Sequence, residues 1–366
     1  MRRSEHISLF TEAIWEWFAV HKRALPWRDL AIEDDTQRAY HILVSEVMLQ
    51  QTQVARVKVT YVRFLERFPH LEDLASASNR DVLIAWRGMG YNSRALRLRD
   101  AALSILKNFD GVFPRDMDAL QSIDGIGHYT TAAIRNFAFN LATPCLDTNI
   151  RRILHRVFVG PENADGSWKK DDEYLLRLGE EVLHVALDQK VRISKQREHV
   201  MVSASNHDMR RIVALRRAQG DNSIGSSGIP NEKKMPRDTK NWHAAVMDFG
   251  SLVCTKRDPQ WHICPLTRRN LMKTTPKNFP KTFIRNSKEE PGRVVGSTFI
   301  PNRIFRGRVI EELRDESRGL TLLELGPRIA IDWNPADHAE WLSMLVEKLK
   351  QDRLIEERKH RYVLAH

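Results

Sequence analysis

The amino-acid sequence predicts a mainly α-helical protein, and three observations lead to that fold class. Apolar side chains recur at helical spacing from residue 7 to residue 158, strand-like alternation is nearly absent over that span, and the intervening loops are short. A chain of 366 residues is also long enough for about two or three domains with real apolar cores. We therefore expect packed helices rather than a sheet-based fold.

The periodic segments predict the helices in order. The first covers residues 7–22 and ends before Pro26, because proline cannot continue a helix. Further helices are predicted at 37–50, 54–68, 79–86, 94–108, 116–122, 128–140, 148–158 and 172–188. Residues 190–240 are polar, basic and rich in Gly, Ser and Asn, which predicts a flexible insertion, and the apolar pattern returns at 242–254.

The C-terminal part of the chain has a pattern of its own. Residues 274–296 contain several prolines and are predicted to form a linker. Residues 297–366 contain three helical segments followed by an alternating stretch with a charged tip, Glu356 to Arg361, which predicts a small winged helix-turn-helix. Such a domain contacts DNA through its third helix and wing, or docks onto another protein, and both alternatives remain open.

Composition limits the class of protein. The formal net charge is +11, which favours an anionic partner such as nucleic acid over a merely solvated basic surface. No apolar run reaches the roughly 18 residues of a membrane span, and the N-terminus does not resemble a signal peptide. Three cysteines argue against a disulfide scaffold, so we expect a cytoplasmic, nucleoid-associated protein.

A glycine pair lies between two predicted helices. Gly125 and Gly127 flank Ile126 in "DGIGHYTTAAI", and His128 follows at the start of the next helix. Glycines permit positive φ and let a phosphate approach the backbone, where the free N–H groups of a helix start bind it. The segment predicts a helix-hairpin-helix that clamps the DNA backbone without reading sequence, although glycines are common in ordinary helix turns.

Two carboxylates lie in positions that suggest chemistry. Glu46 interrupts an apolar helical run, where a charge is costly unless it is paired or used. Asp147 precedes a predicted helix, where an ordinary N-cap is the simpler interpretation, as a structural ion pair is for Glu46. Together with the hairpin and the basic charge, they favour cleavage of a glycosidic bond in DNA, with Glu46 as general acid and Asp147 stabilising the cationic sugar.

The sequence resembles the MutY-type adenine DNA glycosylases of the helix-hairpin-helix (HhH-GPD) superfamily. The matching segments run in family order and are residues 25–28, 45–54, 88–102, 124–134, 146–154 and 247–254. The most specific of them is "SEVMLQQTQV" at 45–54. The resemblance implies a glycosylase domain over 1–273, in which a barrel-like helical subdomain at about 31–147 and a second subdomain, from 1–30 and 148–273, flank a cleft.

The resemblance also implies roles for individual residues. Glu46 would protonate adenine, Asp147 would support the oxocarbenium ion, Tyr129 would line the pocket, and Asn149 would hold the nucleotide or a water. The residues expected at the DNA are Gln51, Tyr91, Arg94, Gly125, Gly127, His128, Trp27 and Arg28. Gln51 and Tyr91 would wedge into the duplex and fill the gap that an extruded base leaves. For Tyr91, Trp27 and Arg28, packing or surface pairing is the alternative.

Tyr129 also indicates the type of reaction. In the superfamily a lysine at this position forms a Schiff base with the sugar and cuts the strand. Because a phenol cannot form an imine, we expect a monofunctional enzyme that leaves an abasic site in an intact strand.

The chain departs from the family at its cluster motif. The family carries four cysteines at fixed spacing that bind a [4Fe–4S] cluster. In this chain the four corresponding positions are Cys254, Trp261, Cys264 and Asn270, so two of the four cysteines are missing. Two thiolates cannot hold a cluster that requires four, so we expect no cluster and no other metal, with Trp261 packing in its place. Zinc bound by Cys254, His262 and Cys264 is the alternative, but it lacks a fourth ligand. The resemblance further implies a monovalent cation at the hairpin, and the basic residues of the cysteine loop would contact phosphates.

The expected function is removal of adenine from mispaired or damaged double-stranded DNA by a monomer that does not bind membranes. The usual Nudix-like C-terminal domain, which helps to read 8-oxoguanine, is replaced by the winged-helix-like tail. The base opposite the adenine therefore stays open between 8-oxoguanine, guanine and another base. The alternatives are a thymine or uracil glycosylase for T:G or U:G mispairs, and a non-catalytic lesion-binding protein.

Overall fold

We describe the protein from a computed structural model, which places residues 1–163, 165–188, 236–280 and 290–366. Helices dominate these residues, as the sequence predicts. The helices before residue 273 are α1 (Arg3–His21), α2 (Asp35–Leu49), α3 (Val54–Arg67), α4 (Leu71–Ser76), α5 (Asn79–Ala85), α6 (Ser93–Asn108), α7 (Met117–Gln121), α8 (His128–Phe137), α9 (Thr148–Leu154), α10 (Asp172–Leu187), α11 (Thr239–Leu252) and α12 (Pro265–Arg268). A single π-helical turn, His155–Val159, extends α9.

The first apolar core is built from helices α2 to α8 and continues into the C-terminal residues of the chain. In α3 the apolar positions recur every three or four residues, so Val57, Tyr61 and Phe64 share one buried face. Trp86, at the end of α5, is fully buried in the same core. Its indole N–H donates to the Gly90 carbonyl over 3.1 Å, which satisfies the polar edge of a buried aromatic side chain.

The second core joins the two ends of the predicted glycosylase domain. Helix α1 packs against α10 and α11, and Phe10, Ile14 and Phe18 are completely buried there. Helix α8 lies between the cores, because Ile134 belongs to the first and Ala132 to the second. The start of α8 therefore lies where the two cores meet. The predicted subdomain boundaries stay predictions.

The C-terminal residues form two short hairpins around three helices. Their elements are β1 (Gly292–Val295), β2 (Thr298–Pro301), α13 (Asn302–Asp315), α14 (Leu322–Ile329), α15 (Pro335–Gln351), β3 (Ile355–Arg358) and β4 (Arg361–Leu364). Both hairpins are antiparallel, with Val294 opposite Phe299 in the first and Glu356 opposite Val363 in the second. The three helices and the second hairpin match the sequence expectation of a winged-helix-like tail.

Some elements differ from the sequence expectation. Strand β1 begins inside the predicted linker 274–296, and α4 and α12 were not predicted, because elements of four to six residues are too short to show a period. Helix α8 ends at Phe137 rather than at residue 140, and Asn140 has a left-handed φ of 53°.

Most of the predicted insertion 190–240 lies outside the described residues. Its last residues are described, and α11 begins at Thr239, where the Asp238 side chain accepts from the Asn241 N–H over 2.9 Å and caps the helix. Across the described ranges, no helix has the length and apolar character needed to cross a membrane.

Candidate active site

Glu46 lies in the last turn of α2 and is only 6% exposed. Its neighbours Val47 and Met48 are buried as well, so this turn of α2 lies inside the protein. Burial is the main reason that its pKa rises to about 7, and Asp147 adds to the rise. The Tyr129 hydroxyl and the positive charge of Arg28 act in the opposite direction. Glu46 can therefore hold a proton near neutral pH.

Tyr129 is the second residue of α8, which belongs to the same predicted subdomain as the helix that carries Glu46. Its hydroxyl donates to Oε2 of Glu46 over 2.9 Å. Burial, followed by the charges of Glu46 and Asp147, raises the pKa of this phenol well above its usual range. Tyr129 thus remains a neutral donor that orients the carboxyl group of Glu46.

Asp147 is the N-cap of α9. Its Oδ1 accepts from the Ile150 N–H over 2.6 Å and its Oδ2 accepts from the Asn149 side-chain amide over 2.7 Å. Burial raises the pKa of Asp147, while these hydrogen bonds and the charge of Arg152 oppose the rise. Helices α2, α8 and α9 thus bring Glu46, Tyr129 and Asp147 close enough for their charges to act on one another.

Asn149 is held by residues that the sequence analysis did not single out. Arg152 donates to Oδ1 of Asn149 over 2.7 Å and to the Gly250 carbonyl over 2.8 Å. A Cβ at Gly250 would lie 2.6 Å from the Cβ of Asn149, so only glycine allows α11 to approach α9 this closely. Gly250 lies in the "MDFGSLVC" segment, and that match was the one sequence signal for its importance. Cys145 was also missed as a site residue. Burial raises the pKa of its thiol well above the usual range, and the charges of Asp147 and Glu46 add to the rise.

Trp27 and Arg28 are packed and paired rather than exposed. The guanidinium of Arg28 binds Asp248 with two contacts, Nη1 to Oδ2 at 2.7 Å and Nη2 to Oδ1 at 2.8 Å, and Asp248 is fully buried. The Trp27 ring packs edge-on against Tyr61 at a centroid distance of 5.5 Å. Arg28 is nevertheless close enough to Glu46 to lower its pKa, so it contributes to the site electrostatically.

Gln51 and Tyr91 lie on two loops and adopt left-handed backbone conformations. Their φ values are 54° and 46°, which costs a non-glycine residue roughly 1–3 kcal/mol unless the surroundings enforce it. Gln51 is exposed and Tyr91 is 48% exposed. The structure therefore presents both predicted wedge side chains to solvent from strained backbone positions.

Arg94 connects these two loops from the interior of the protein. It is 3% exposed, and its guanidinium donates to carbonyls of both loops, including Gln50 in one and Met89 and Gly90, each at 3.2 Å, in the other. A second bond on the first loop reaches Oγ1 of Thr52 over 3.0 Å. In this arrangement Arg94 holds the loops together instead of projecting toward a phosphate.

The glycine hairpin connects α7 to α8 as predicted from the sequence. Gly125 has a φ of 88°, Ile126 is buried, and Gly127 is the N-cap residue of α8. A Cβ placed on Gly127 would meet no atom within 4 Å, which leaves open space in front of the helix start. His128 is exposed beside it. These positions are accessible to an anion such as a phosphate.

The cysteine loop is organised around a buried ion pair. Arg156 is fully buried and pairs with Glu162, Nη2 to Oε1 at 2.6 Å. The same guanidinium donates to the Thr255 carbonyl over 2.7 Å and to the Lys256 carbonyl over 3.0 Å. It also lies 4.9 Å from the ring centroid of Phe279. Arg156 thus fixes the backbone that follows Cys254.

The donor set of this loop does not fit a [4Fe–4S] cluster. Cys254 and Cys264 are buried thiols, but the Trp261 ring packs edge-on against Phe279 at 5.7 Å, and Asn270 is exposed. His262 is exposed too, and within the described residues no three His, Cys, Asp or Glu side chains converge as metal ligands. Whether the protein carries any metal stays a prediction. Of the basic side chains here, Lys256, Arg257 and Arg268 are exposed, and Arg269 pairs with Glu16.

We expect the substitution Arg156→Met to reduce the free energy of unfolding by about 3–5 kcal/mol, because it leaves Glu162 as an uncompensated buried charge. Chemical denaturation measures this loss. The matched control is Arg177→Met, which removes an exposed arginine paired with Glu173 at 3.0 Å and should change stability by less than about 0.5 kcal/mol. Equal effects of the two substitutions would contradict the structural role of Arg156.

Comparisons with known proteins agree with this geometry. Residues 44–177 match the HhH-GPD superfamily of base excision DNA repair proteins. An adenine DNA glycosylase of Mycolicibacterium smegmatis is 30% identical over 319 residues, which cover 87% of this chain and 85% of that protein. An adenine DNA glycosylase of Mus musculus is 44% identical over 154 residues, 41% of this chain and 30% of that longer protein.

Among solved structures, a thermostable thymine-DNA glycosylase aligns with a TM-score of 0.51 at 20% identity, over 73% of this chain and 95% of that one. This likeness shows the fold. The similarity to the mycobacterial protein extends over most of both sequences. The superfamily match at residues 44–177 includes Glu46, Tyr129 and Asp147. The chain therefore belongs to the adenine DNA glycosylases, a family within the HhH-GPD superfamily of base excision DNA repair proteins.

Proposed function

We propose that this protein is a monofunctional DNA glycosylase of base excision repair that removes adenine from mispaired double-stranded DNA. One observation carries the proposal: Glu46 is buried, keeps a pKa of about 7, accepts a hydrogen bond from Tyr129, and lies near Asp147. This combination supplies an acid for the leaving base and an anion for the sugar. Membership of the adenine DNA glycosylase family supports adenine as that base.

The first step is proton transfer from Glu46 to a ring nitrogen of an extruded adenine. Because the Tyr129 hydroxyl already binds Oε2, we assign the transferable proton to Oε1. Protonation allows the bond between C1′ and N9 to break, with its electron pair leaving on the base. Neutral adenine departs, and an oxocarbenium ion remains on the sugar.

The second step is the addition of water to the sugar cation. The carboxylate of Asp147, fixed by Ile150 and Asn149, stabilises the positive charge that develops at C1′. Water adds at C1′ and gives its proton to the carboxylate of Glu46, which restores the acid for the next cycle. Asn149 orients Asp147 and is positioned to hold the nucleotide or the attacking water.

The protein binds DNA through contacts to the phosphate backbone that do not depend on base sequence. The N–H groups at Gly127 and His128, together with the open space beside Gly127, support binding of a backbone phosphate. Gln51 and Tyr91 fill the space that the extruded adenine leaves in the duplex. The opposite base is 8-oxoguanine or guanine.

The role of the winged-helix-like tail in DNA contact stays a proposal. In the wing, Arg358 pairs with Glu356 and Arg361 pairs with Glu324, while Lys359 at the tip is exposed. Its third helix, α15, carries carboxylates as well as lysines, and Lys350 pairs with Glu347. This balance gives the third helix less positive charge than DNA-reading helices usually have.

The test is a duplex-cleavage assay under single-turnover conditions with A:8-oxoG, A:G, T:G and U:G duplexes. We expect product from the adenine duplexes only, and only after hot alkali, because the enzyme leaves an intact strand with an abasic site. Product confined to T:G or U:G would reject adenine as the substrate. Strand cleavage before alkali, together with a covalent adduct trapped by borohydride, would reject the monofunctional mechanism.

A further inference from the structure

Helix α13 of the C-terminal tail lies against the loop that carries Tyr91. Its residue Arg314 is only 4% exposed and points into the glycosylase domain. The guanidinium donates from Nε to the Leu83 carbonyl over 2.9 Å and from Nη2 to Oδ1 of Asn92 over 3.0 Å. It also pairs with Glu311 on its own helix. A buried arginine that reaches another domain is costly unless its contacts are all satisfied, so this docking is specific.

The contacts extend along the whole loop. At its start, Arg87 pairs with Asp315 and approaches Glu311, Nε to Oε2 at 3.9 Å. At its end, Asn92 is 8% exposed and bound by Arg314. Between them, at the beginning of α13, Arg303 pairs with Glu290 at 2.7 Å and interacts with the side chain of Tyr91.

The apolar packing is continuous across the same boundary. Leu313 of α13 and Leu364 of β4 belong to one buried cluster with Val82 and Leu83 of α5. Strand β4 also contacts α5 directly. The Tyr91 loop, residues 86–92, thus contacts Arg94 on its buried side and α13 of the C-terminal tail on another side.

The loop needs such support, because its backbone is unfavourable. Gly88 and Gly90 have φ values of 83° and 66°, and Tyr91 itself has 46°. A non-glycine residue keeps this conformation only where neighbouring contacts enforce it. The backbone leaves the left-handed region at Asn92, which is the residue whose side chain Arg314 binds.

We propose that the C-terminal tail assists extrusion of the base. Helix α13, through the contact of Arg314 with Asn92, holds the Tyr91 loop in the conformation that presents the Tyr91 side chain to the duplex. Arg314 and Asn92 are positioning residues in this proposal, which rests on the proposed glycosylase function. The tail would then act on extrusion of the base, and not on the chemistry at Glu46 and Asp147. Loss of this contact should slow excision only where the base must be forced out of a paired duplex.

The experiment compares two substrates in single-turnover reactions: adenine in a mispair, and adenine in a one-nucleotide bulge, which is already partly unstacked. For Asn92→Ala, which removes only the acceptor, we expect the rate on the mispair to fall by about tenfold to a hundredfold. The rate on the bulge should change by less than roughly twofold. Arg314→Met should give the same pattern, and Asn92→Asp, which keeps an acceptor at the same place, should restore the rate.

The matched control is Arg353→Met. Arg353 is an exposed arginine of the tail that pairs with Asp100 on α6 and does not touch the loop. Equal losses on both substrates, no loss for Asn92→Ala, or the same loss for Arg353→Met would overturn the proposal. Amide hydrogen exchange of residues 87–92 adds a readout that needs no activity. Faster exchange of these amides in Asn92→Ala supports the proposal that α13 holds the loop. Unchanged exchange rejects that proposal, even if the wild-type protein excises adenine.

Discussion

The substitution Glu46→Gln is expected to reduce adenine excision by about 10²–10⁴-fold, the usual contribution of a general acid. Glutamine matches glutamate in shape, and its amide oxygen can still accept from the Tyr129 hydroxyl, but it has no acidic proton to give to the base. Single-turnover rates on the A:8-oxoG and A:G duplexes measure the effect. Affinity for the same duplexes should persist, because Glu46 is buried and contributes little to the outer DNA-binding surface.

The control for this prediction is Glu340→Gln, which changes an exposed glutamate on α15 of the C-terminal tail and should leave the rate unchanged. Full activity of Glu46→Gln would contradict its assignment as the acid. Because Glu46 must be protonated to act, the wild-type rate should also fall as pH rises through about 7. An excision rate that stays constant from pH 6 to pH 9 would be incompatible with this proton donor.

The same substitution should stabilise the protein at alkaline pH. The folded pKa of Glu46, about 7, lies above its ordinary value of 4.5, so wild-type protein loses stability as pH rises from 4.5 through 7. Glutamine cannot ionise, so Glu46→Gln should be more stable than wild type at pH 8, by up to about 3 kcal/mol. The difference should disappear near pH 4.5. Chemical denaturation of both proteins at pH 5 and pH 8 tests this prediction. If Glu46→Gln were less stable than wild type at pH 8, the buried carboxylate would not destabilise the fold.

The second large effect is expected for Asp147→Asn. Asparagine caps a helix as well as aspartate does, so the Ile150 N–H keeps its acceptor and the stability of the fold should change by less than about 1 kcal/mol. What is lost is the negative charge opposite the sugar cation, together with the Oδ2 acceptor of the Asn149 side-chain amide. We expect a decrease of about 10²–10³-fold in the single-turnover rate.

The matched control is Asp171→Asn, which makes the same change at the N-cap of α10, where the side chain accepts from the Tyr174 N–H over 2.9 Å. It should affect neither stability nor rate. If Asp147→Asn retained full activity, or if it unfolded the protein while Asp171→Asn did not, Asp147 would be a structural cap rather than an electrostatic stabiliser.

Much of the candidate site could be predicted from local sequence. Glu46 is conspicuous because it interrupts an apolar helical stretch, and Asp147 because it precedes a helix that it then caps. The short elements α4, α12, β1 and β2 escaped prediction, since four to six residues carry no usable period. Arg94 was expected at the DNA from the resemblance of segment 88–102 to the family, and its burial beneath two loops depends on how those loops fold.

The sequence by itself determined the longer helices, the glycine hairpin and the presence of only two cysteines in the cluster motif, because each follows from residues that are close together in the chain. The tertiary structure alone decided which side chains meet. Tyr129 reaches Glu46 across 83 positions, and Arg314 reaches Asn92 across 222. Such meetings depend on the way that apolar faces pack against one another, and neither the spacing of residues in a motif nor their helix propensity encodes that packing.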